Sequence, residues 1–175
     1  MAERFPITID GRAIEVSAGE TVLTASKRLG IEIPTLCHDD RLDPMGSCRM
    51  CLVQIEGQRR LQPSCAFPAS PNMVVHTASE DVQRHRALLL SMYMADHALD
   101  ADGLPARRGV CNQLRDLVVA HGAGPTLPPI EAERDRRLDS NPYIHFDADS
   151  CIACARCVRY CDEVEAVSAI TLAMR

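Results

Sequence analysis

The chain has 175 residues, room for one or two domains, and its 46% apolar content is enough for a sizeable core. Aromatic residues make up only 3% with no Trp, which leaves no base-stacking surface, and a net charge of −5 argues against nucleic acid and anionic membranes as partners. No apolar run reaches the ~18 residues of a membrane span, so no transmembrane segment is expected.

In chain order, residues 4–16 predict a β-hairpin. Phe5, Ile7 and Ile9 alternate with polar neighbours, Asp10-Gly11 supplies a type I′ turn, and the strand returns through Ala13, Ile14 and Val16. Thr21 to Leu29 carries Val22, Leu23, Ala25, Ser26 and Leu29 at helical spacing, with Gly30 as the stop. Cys51 to Glu56 reads as a strand with a turn near Gly57, and Met73 to His76 as another. Strand–strand–helix–strand order fits a small β-grasp module. Ser79 is a good N-cap, with Glu80 and Asp81 in the first turn of a helix running to about Ala95. Its inward residues are expected to be Val82, Leu88, Leu89, Met92 and Tyr93. An irregular stretch, 96–110, follows, then a short helix from Gln113 to His121. Gly122 to Pro129 has the composition of a linker, and 131–137 is a solvated charge run. Tyr143–Phe146 is strand-like.

The chemistry lies in the nine cysteines. The N-terminus shows no apolar leader segment, and the cysteines cluster at x2 and x3 spacings that suit metal ligation better than disulfides between distant strands. A reducing, cytoplasmic setting is therefore expected. Cys37, Cys48, Cys51 and Cys65 stand as C-x10-C-x2-C-x13-C. Gly46 and Ser47 let the loop curl around an inorganic core, and its N–H groups can bond to sulfide. One close pair and two distant singles suit a [2Fe–2S] cluster; a zinc site of four thiolates is the alternative, although zinc usually takes two C-x2-C knuckles. Cys151, Cys154, Cys157 and Cys161 read C-x2-C-x2-C-x3-C, the bacterial ferredoxin spacing for a [4Fe–4S] cluster. Arg156 and Arg159 either offset that cluster's negative charge or lie on a solvated helix face. The histidines form no ligand pair and read as structural or surface residues; His38, beside Cys37, could tune the cluster, but a plain surface position is preferred. The chain has no glycine fingerprint for a nucleotide and no nucleophile constellation, so no catalytic residue is assigned.

The stretch CHDDRLDPMGSCRMCLVQIEG…LQPSC resembles the N-terminal [2Fe–2S] domain of a family of iron–sulfur subunits. That family comprises the large iron–sulfur subunit of NADH–quinone oxidoreductase, the diaphorase small subunit of NAD-reducing hydrogenases and the alpha subunit of NAD-dependent formate dehydrogenases. The match continues through RHRALLLSMYMADHALD and resumes at SNPYIHFDADSCIACARCVRYCDEVE, which looks most like formate dehydrogenase. The resemblance implies a conductor of single electrons between a flavin site handling NAD(H) and a remote catalytic centre. It also implies two partners, an FMN- and NADH-binding subunit and a metal-containing catalytic subunit.

Two departures stand out. The family carries H-x3-C-x2-C-x5-C after the helix, for a further [4Fe–4S] cluster. Here His97 holds the first position, Ala101 and Leu104 replace two thiolates, and Cys111 sits one residue past the last. This cluster is expected to be absent. In two-cluster ferredoxins, moreover, the fourth cysteine of a C-x2-C-x2-C-x3-C run serves the other cluster. The fourth ligand here is Cys161 itself or a partner's cysteine, unless the chain is a shortened form of a longer subunit.

The resulting expectation is an α+β chain in three parts. Residues 1–78 form a β-grasp [2Fe–2S] ferredoxin domain. Residues 79–139 form a helical connector with the degenerate cluster region, and 140–175 form a partial bacterial-ferredoxin-like [4Fe–4S] module. The expected role is electron transfer in an NAD(H)-linked oxidoreductase of formate dehydrogenase type. The alternatives are a hydrogenase diaphorase subunit and a non-redox scaffold derived from such a subunit.

Overall fold

The computed structural model describes residues 4–106, 112–130, 143 and 146–172. The chain divides into two units: Met1–Arg84 with Cys154–Arg175, and His85–Ala153.

The first unit is built on a five-stranded sheet. β1 (Arg4–Ile9) and β2 (Arg12–Ser17) form the expected hairpin, in register from Arg4↔Ser17 to Ile9↔Arg12. Asp10 and Gly11 both take positive φ, 48° and 78°, as a type I′ turn requires. α1 (Val22–Arg28) follows, capped by Thr21, whose side chain accepts the Thr24 N–H at 3.2 Å. It ends where Gly30, at φ 70°, lets the Ile31 N–H reach the Ser26 carbonyl. β3 (Leu52–Ile55), β4 (Gln62–Pro63) and β5 (Val74–His76) complete the sheet in the order β2-β1-β5-β3-β4. Only the β1–β5 pairing is parallel. β4 is two residues long and was not anticipated; Pro63 has no N–H to give a ladder and sits on the sheet's edge.

Alternation explains the core. Phe5, Ile7 and Ile9 of β1 point inward with Val16, Val53, Ile55 and Val75, and meet Val22, Leu23 and Ala25 of α1. Each aliphatic side chain buried this way contributes about 1.5–3 kcal/mol. The first part of the chain therefore has the mixed α+β arrangement expected of a [2Fe–2S] ferredoxin-like domain.

α2 (Glu80–Ala95) starts as expected, with the Gln83 N–H on the Ser79 carbonyl. Its inward face differs from the one expected. Val82, Arg86, Leu90 and Met94, spaced four apart, are buried, whereas Leu88 and Met92 are about half exposed, at 52% and 50%. The run ALLLSMYMA is apolar almost all round, so periodicity did not single out a face, and the buried Arg86 broke the apolar stripe that does.

In the second unit, α3 (Gln113–Ala120) is capped by Asn112, which accepts the Arg115 N–H and donates its amide to the Ala106 carbonyl. Arg115 ties Asp100, Asp102 and the Pro105 carbonyl into one turn. The expected linker at 122–129 is held against α2: Thr126 bonds Ser91, and the Ile130 N–H donates to the Ala95 carbonyl. The charge run at 131–137 lies outside the described residues, as does most of the strand expected at Tyr143–Phe146; Tyr143 and Phe146 themselves are exposed. Among the described residues no helix is long and apolar enough to cross a membrane.

Candidate metal centre

Three segments of the first unit bring Cys37, Cys48, Cys51 and Cys65 together. Cys37 follows the buried Leu36, Cys48 and Cys51 bracket Arg49-Met50 just ahead of β3, and Cys65 follows β4. All four are buried and none is in a disulfide. Their sulfurs form two pairs. Cys51 Sγ lies 3.4 Å from Cys65 Sγ, and Cys37 Sγ is paired with the Cys48 thiol while accepting the Cys48 N–H at 3.5 Å.

Local backbone conformation makes the pairs. Arg49 turns left-handed, at φ 58°, so the chain doubles back between Cys48 and Cys51. Gly46, at φ 63°, brings the loop in over the Pro63 and Ala66 side chains, where a Cβ would lie 3.6 Å from each. The Cys65 side is fixed by α1, whose first N–H groups have no partner within the helix. Val22 N–H donates to the Phe67 carbonyl at 3.1 Å and Leu23 N–H to the Ser64 carbonyl at 3.0 Å.

Within each pair the shared hydrogen bond pushes the two thiols' pKa values apart. Hydrogen bonds from the Cys48 thiol, and then from the Cys48 and Ser47 backbone, outweigh burial and lower Cys37 to about 4. The Cys65 thiol, its N–H and Ser64 do the same for Cys51, lowered to about 6. Cys48 and Cys65 are pushed up, chiefly through the hydrogen bond each shares with its partner's sulfur and then because burial disfavours a second charge. Metal uptake here displaces those retained protons. Buried thiolates in two pairs, with an N–H aimed at sulfur, are a donor set that fits a two-iron centre. A single tetrahedral zinc would need all four sulfurs around one point.

The second cysteine run is more open. Cys151, Cys154 and Cys161 are half-buried and Cys157 is exposed. Asp147 caps a short 3₁₀ turn, Ala148–Ser150, that leads into Cys151, accepting the Asp149 N–H at 3.0 Å. Ala153 and Ala155, either side of Cys154, both take left-handed φ, 51° and 59°. That conformation costs a residue with a Cβ about 1–2 kcal/mol, so the sequence bends here against local preference. One product is an N–H from Ala153 to Cys151 Sγ at 3.4 Å. Cys157 lies in α4 (Arg156–Arg159), which runs on as a π-type turn, Tyr160–Val164, containing Cys161. Cys161 Sγ accepts the Ala169 N–H at 3.3 Å. Sulfur-directed N–H groups are the shared feature of both runs.

A model of the 2Fe–2S iron–sulfur cluster binding domain matches residues 2–80. The chain is 45% identical over 168 residues to the G 2 subunit of the NADH-quinone oxidoreductase of Rhizobium meliloti, covering 95% of this chain and 19% of that protein. It is 38% identical over 165 residues to the HndD subunit of the NADP-reducing hydrogenase of Solidesulfovibrio fructosivorans, covering 91% and 28%. Among solved structures, it superposes on a chain of an NAD+-reducing [NiFe]-hydrogenase in the H2-reduced state with a TM-score of 0.84 and 35% identity, covering 98% of this chain and 71% of that one. The chain belongs to the iron–sulfur subunit family of NADH–quinone oxidoreductases and NAD(P)-reducing hydrogenases. It spans less than a third of the length of these two curated relatives, 19% and 28%.

The family's extra site, expected to be lost, is seen in part. His97 is half-buried in the turn after α2, with its N–H on the Met94 carbonyl. Ala101 and Leu104 bring no ligand atom, and Cys111 lies outside the described residues. His38 is less of a surface residue than expected: its side chain is 15% exposed, Nε2 meets Asp40 at 3.0 Å and Nδ1 is buried without a partner. Ser64, which gathers the Cys51–Cys65 pair, was not singled out from sequence; its only signal was its place beside a cysteine.

Proposed function

We propose that the chain is an iron–sulfur electron-transfer subunit of a multi-subunit NAD(H)-linked oxidoreductase. Cys37, Cys48, Cys51 and Cys65 hold a [2Fe–2S] cluster. Cys151, Cys154 and Cys157, with Cys161 or a partner's cysteine, hold a [4Fe–4S] cluster. When bound, the clusters supply one-electron chemistry. The observation that carries the reading is the gathering of four buried cysteines, with Cys51 Sγ against Cys65 Sγ and the Cys48 N–H on Cys37 Sγ. The chain's own residues do the rest: Leu36 and Met50, both fully buried, keep water from the sulfurs, and the Cys48 N–H steadies the charge on Cys37.

In this reading residues 1–78 are the [2Fe–2S] domain, 79–139 a connector without a cluster, and 140–175 the [4Fe–4S] module. The chain works in the cytoplasm between an FMN- and NADH-binding subunit and a metal-containing catalytic subunit. The lead-in SNPYIHFD supports a formate dehydrogenase partner. The likeness to the NAD+-reducing hydrogenase chain supports the hydrogenase alternative. Pull-down of the catalytic subunit from the source cell, and its metal content, molybdenum or nickel, separates the two.

The central test is anaerobic iron and sulfide analysis with EPR on the loaded chain. About six irons are expected, two plus four, with Cys48→Ser removing the two-iron signal alone. A colourless or zinc-bound protein, with electron flux intact in Cys48→Ser, would instead mark a scaffold.

A further inference from the structure

The loop from Cys37 to Cys48 is gripped from outside by the helical turn that closes the first unit. Arg159 Nη1 donates to the Cys37 carbonyl at 3.2 Å, and its Nη2 donates to the Asp43 carbonyl. Its Nε bonds Glu163 Oε1 at 3.0 Å, while Glu163 Oε2 accepts the Asp43 N–H at 2.8 Å. Arg41 lies over the Tyr160 ring at 4.9 Å and pairs with Asp39, adding a second strap. The Arg159 side chain is only 13% exposed and Glu163 27%. Bonds between groups so sheltered are little screened by salt. The planar fork of arginine spreads its donors over three nitrogens and so reaches two carbonyls and a carboxylate at separate points, whereas lysine's donors all sit on one nitrogen. The loop's own backbone adds a bond from the Leu42 N–H to the Asp39 carbonyl, which tightens its middle but leaves Asp43 to the clamp.

We propose that Arg159 and Glu163 are positioning residues of the first cluster site. Arg159 fixes the carbonyl of Cys37 and so the direction of its thiol. Glu163 holds the far side of the loop at Asp43. The two also set opposite charges beside the centre. Reduction adds one negative charge there, so the Arg159 cation favours the reduced state and the Glu163 carboxylate opposes it. The electrostatic part rests on Cys37 being a cluster ligand, as proposed above; the clamp itself does not.

The test uses the full chain, both metal-free and loaded anaerobically with iron and sulfide, in Arg159→Met, Arg159→Lys and Glu163→Ala forms. In the metal-free chain, amide exchange at Asp43 speeds up at least about tenfold in Arg159→Met and Glu163→Ala, since each removes a charged hydrogen-bond partner. In the loaded chain, EPR-monitored titration shows the two-iron midpoint falling in Arg159→Met and rising in Glu163→Ala. Arg159→Lys restores the midpoint, because the charge returns, but not the Asp43 protection, because the fork does not. A merely structural role would move both midpoints in the same direction. Unchanged exchange in the metal-free variants overturns the clamp, and midpoints that stay put or move together overturn the electrostatic role. A wild-type chain that takes up no iron on the Cys37 set overturns the cluster reading and the electrostatic role with it, while the metal-free exchange still decides the clamp. If Arg159→Met does not fold, Arg159→Gln, neutral and polar, takes its place in both measurements.

Discussion

Ser64 bonds the carbonyl of Cys51 twice, through its N–H at 3.1 Å and its hydroxyl at 2.8 Å. This places the residue before Cys65 against the backbone of the cysteine whose sulfur Cys65 meets. Ser64 is fully buried, so its hydroxyl has no water to fall back on.

Ser64→Ala should therefore leave a buried acceptor short of one donor and lower the stability of the first unit by about 1–3 kcal/mol. Chemical denaturation of the metal-free chain measures this. The Cys51–Cys65 gap should also loosen, and iron transfer to a chelator should quicken. A variant as stable as wild type, with unaltered iron release, would show that the backbone bond suffices.

Removing the metal should melt the first unit ahead of the second. The site's thiols sit on loops between the strands, and ligation supplies folding free energy wherever the unfolded chain has no preformed site. Calorimetry of loaded and metal-free chains should show one transition moving down by several degrees while the other stays. A metal-free chain with an identical trace would contradict this.

The face of α2 can be checked by substitution. Leu90 is fully buried, and Leu90→Ala should cost about 2–5 kcal/mol. Leu88→Ala and Met92→Ala, at half-exposed positions, should stay within about 0.5 kcal/mol of wild type in the isolated chain. The reverse ranking, read from thermal melts, would restore the face expected from sequence.

Acid should weaken the turn around Arg115. Desolvation opposes ionisation of Asp102, but the Arg115 guanidinium at 2.6 Å and the Leu104 N–H outweigh it, and the carboxyl is held below its usual range. A carboxyl lowered by folding lends stability at pH above its unfolded value, about 4, and loses it as pH falls through the lower folded value. The Tm gap between the metal-free wild type and Arg115→Met should thus be wide near pH 6 and narrow near about pH 3. A gap that does not change with pH would assign Arg115 a packing role alone.

How much of this was legible beforehand depends on the range of the signal. The hairpin, α1 and its glycine stop, β3, β5, α3 and the start of α2 are written in short patterns: alternation, helical spacing, Asp10-Gly11, Gly30 and Ser79. Cysteine spacing likewise announced both candidate sites. What escaped is information held between distant residues. β4 exists because Gln62 and Pro63 meet Val53 and Leu52, not because of any propensity of their own. The buried side of α2 follows from what packs on it, and its apolar run could not choose. Arg159 was weighed from sequence only as a charge beside its neighbouring cysteines; its bond to the Cys37 carbonyl spans 122 residues.

β5 is three residues long, yet among the described residues it is the strand that joins the β1–β2 hairpin to the β3–β4 ladder. All four thiols of the first site precede it in the chain. The hairpin and the β3–β4 ladder join through Val75, which pairs with Ile9 on one side and Ile55 on the other. On the proposed reading, iron and sulfide could reach the thiols before β5 is made, on a chain whose sheet is still unjoined, or only afterwards, through a finished socket that must open to be filled.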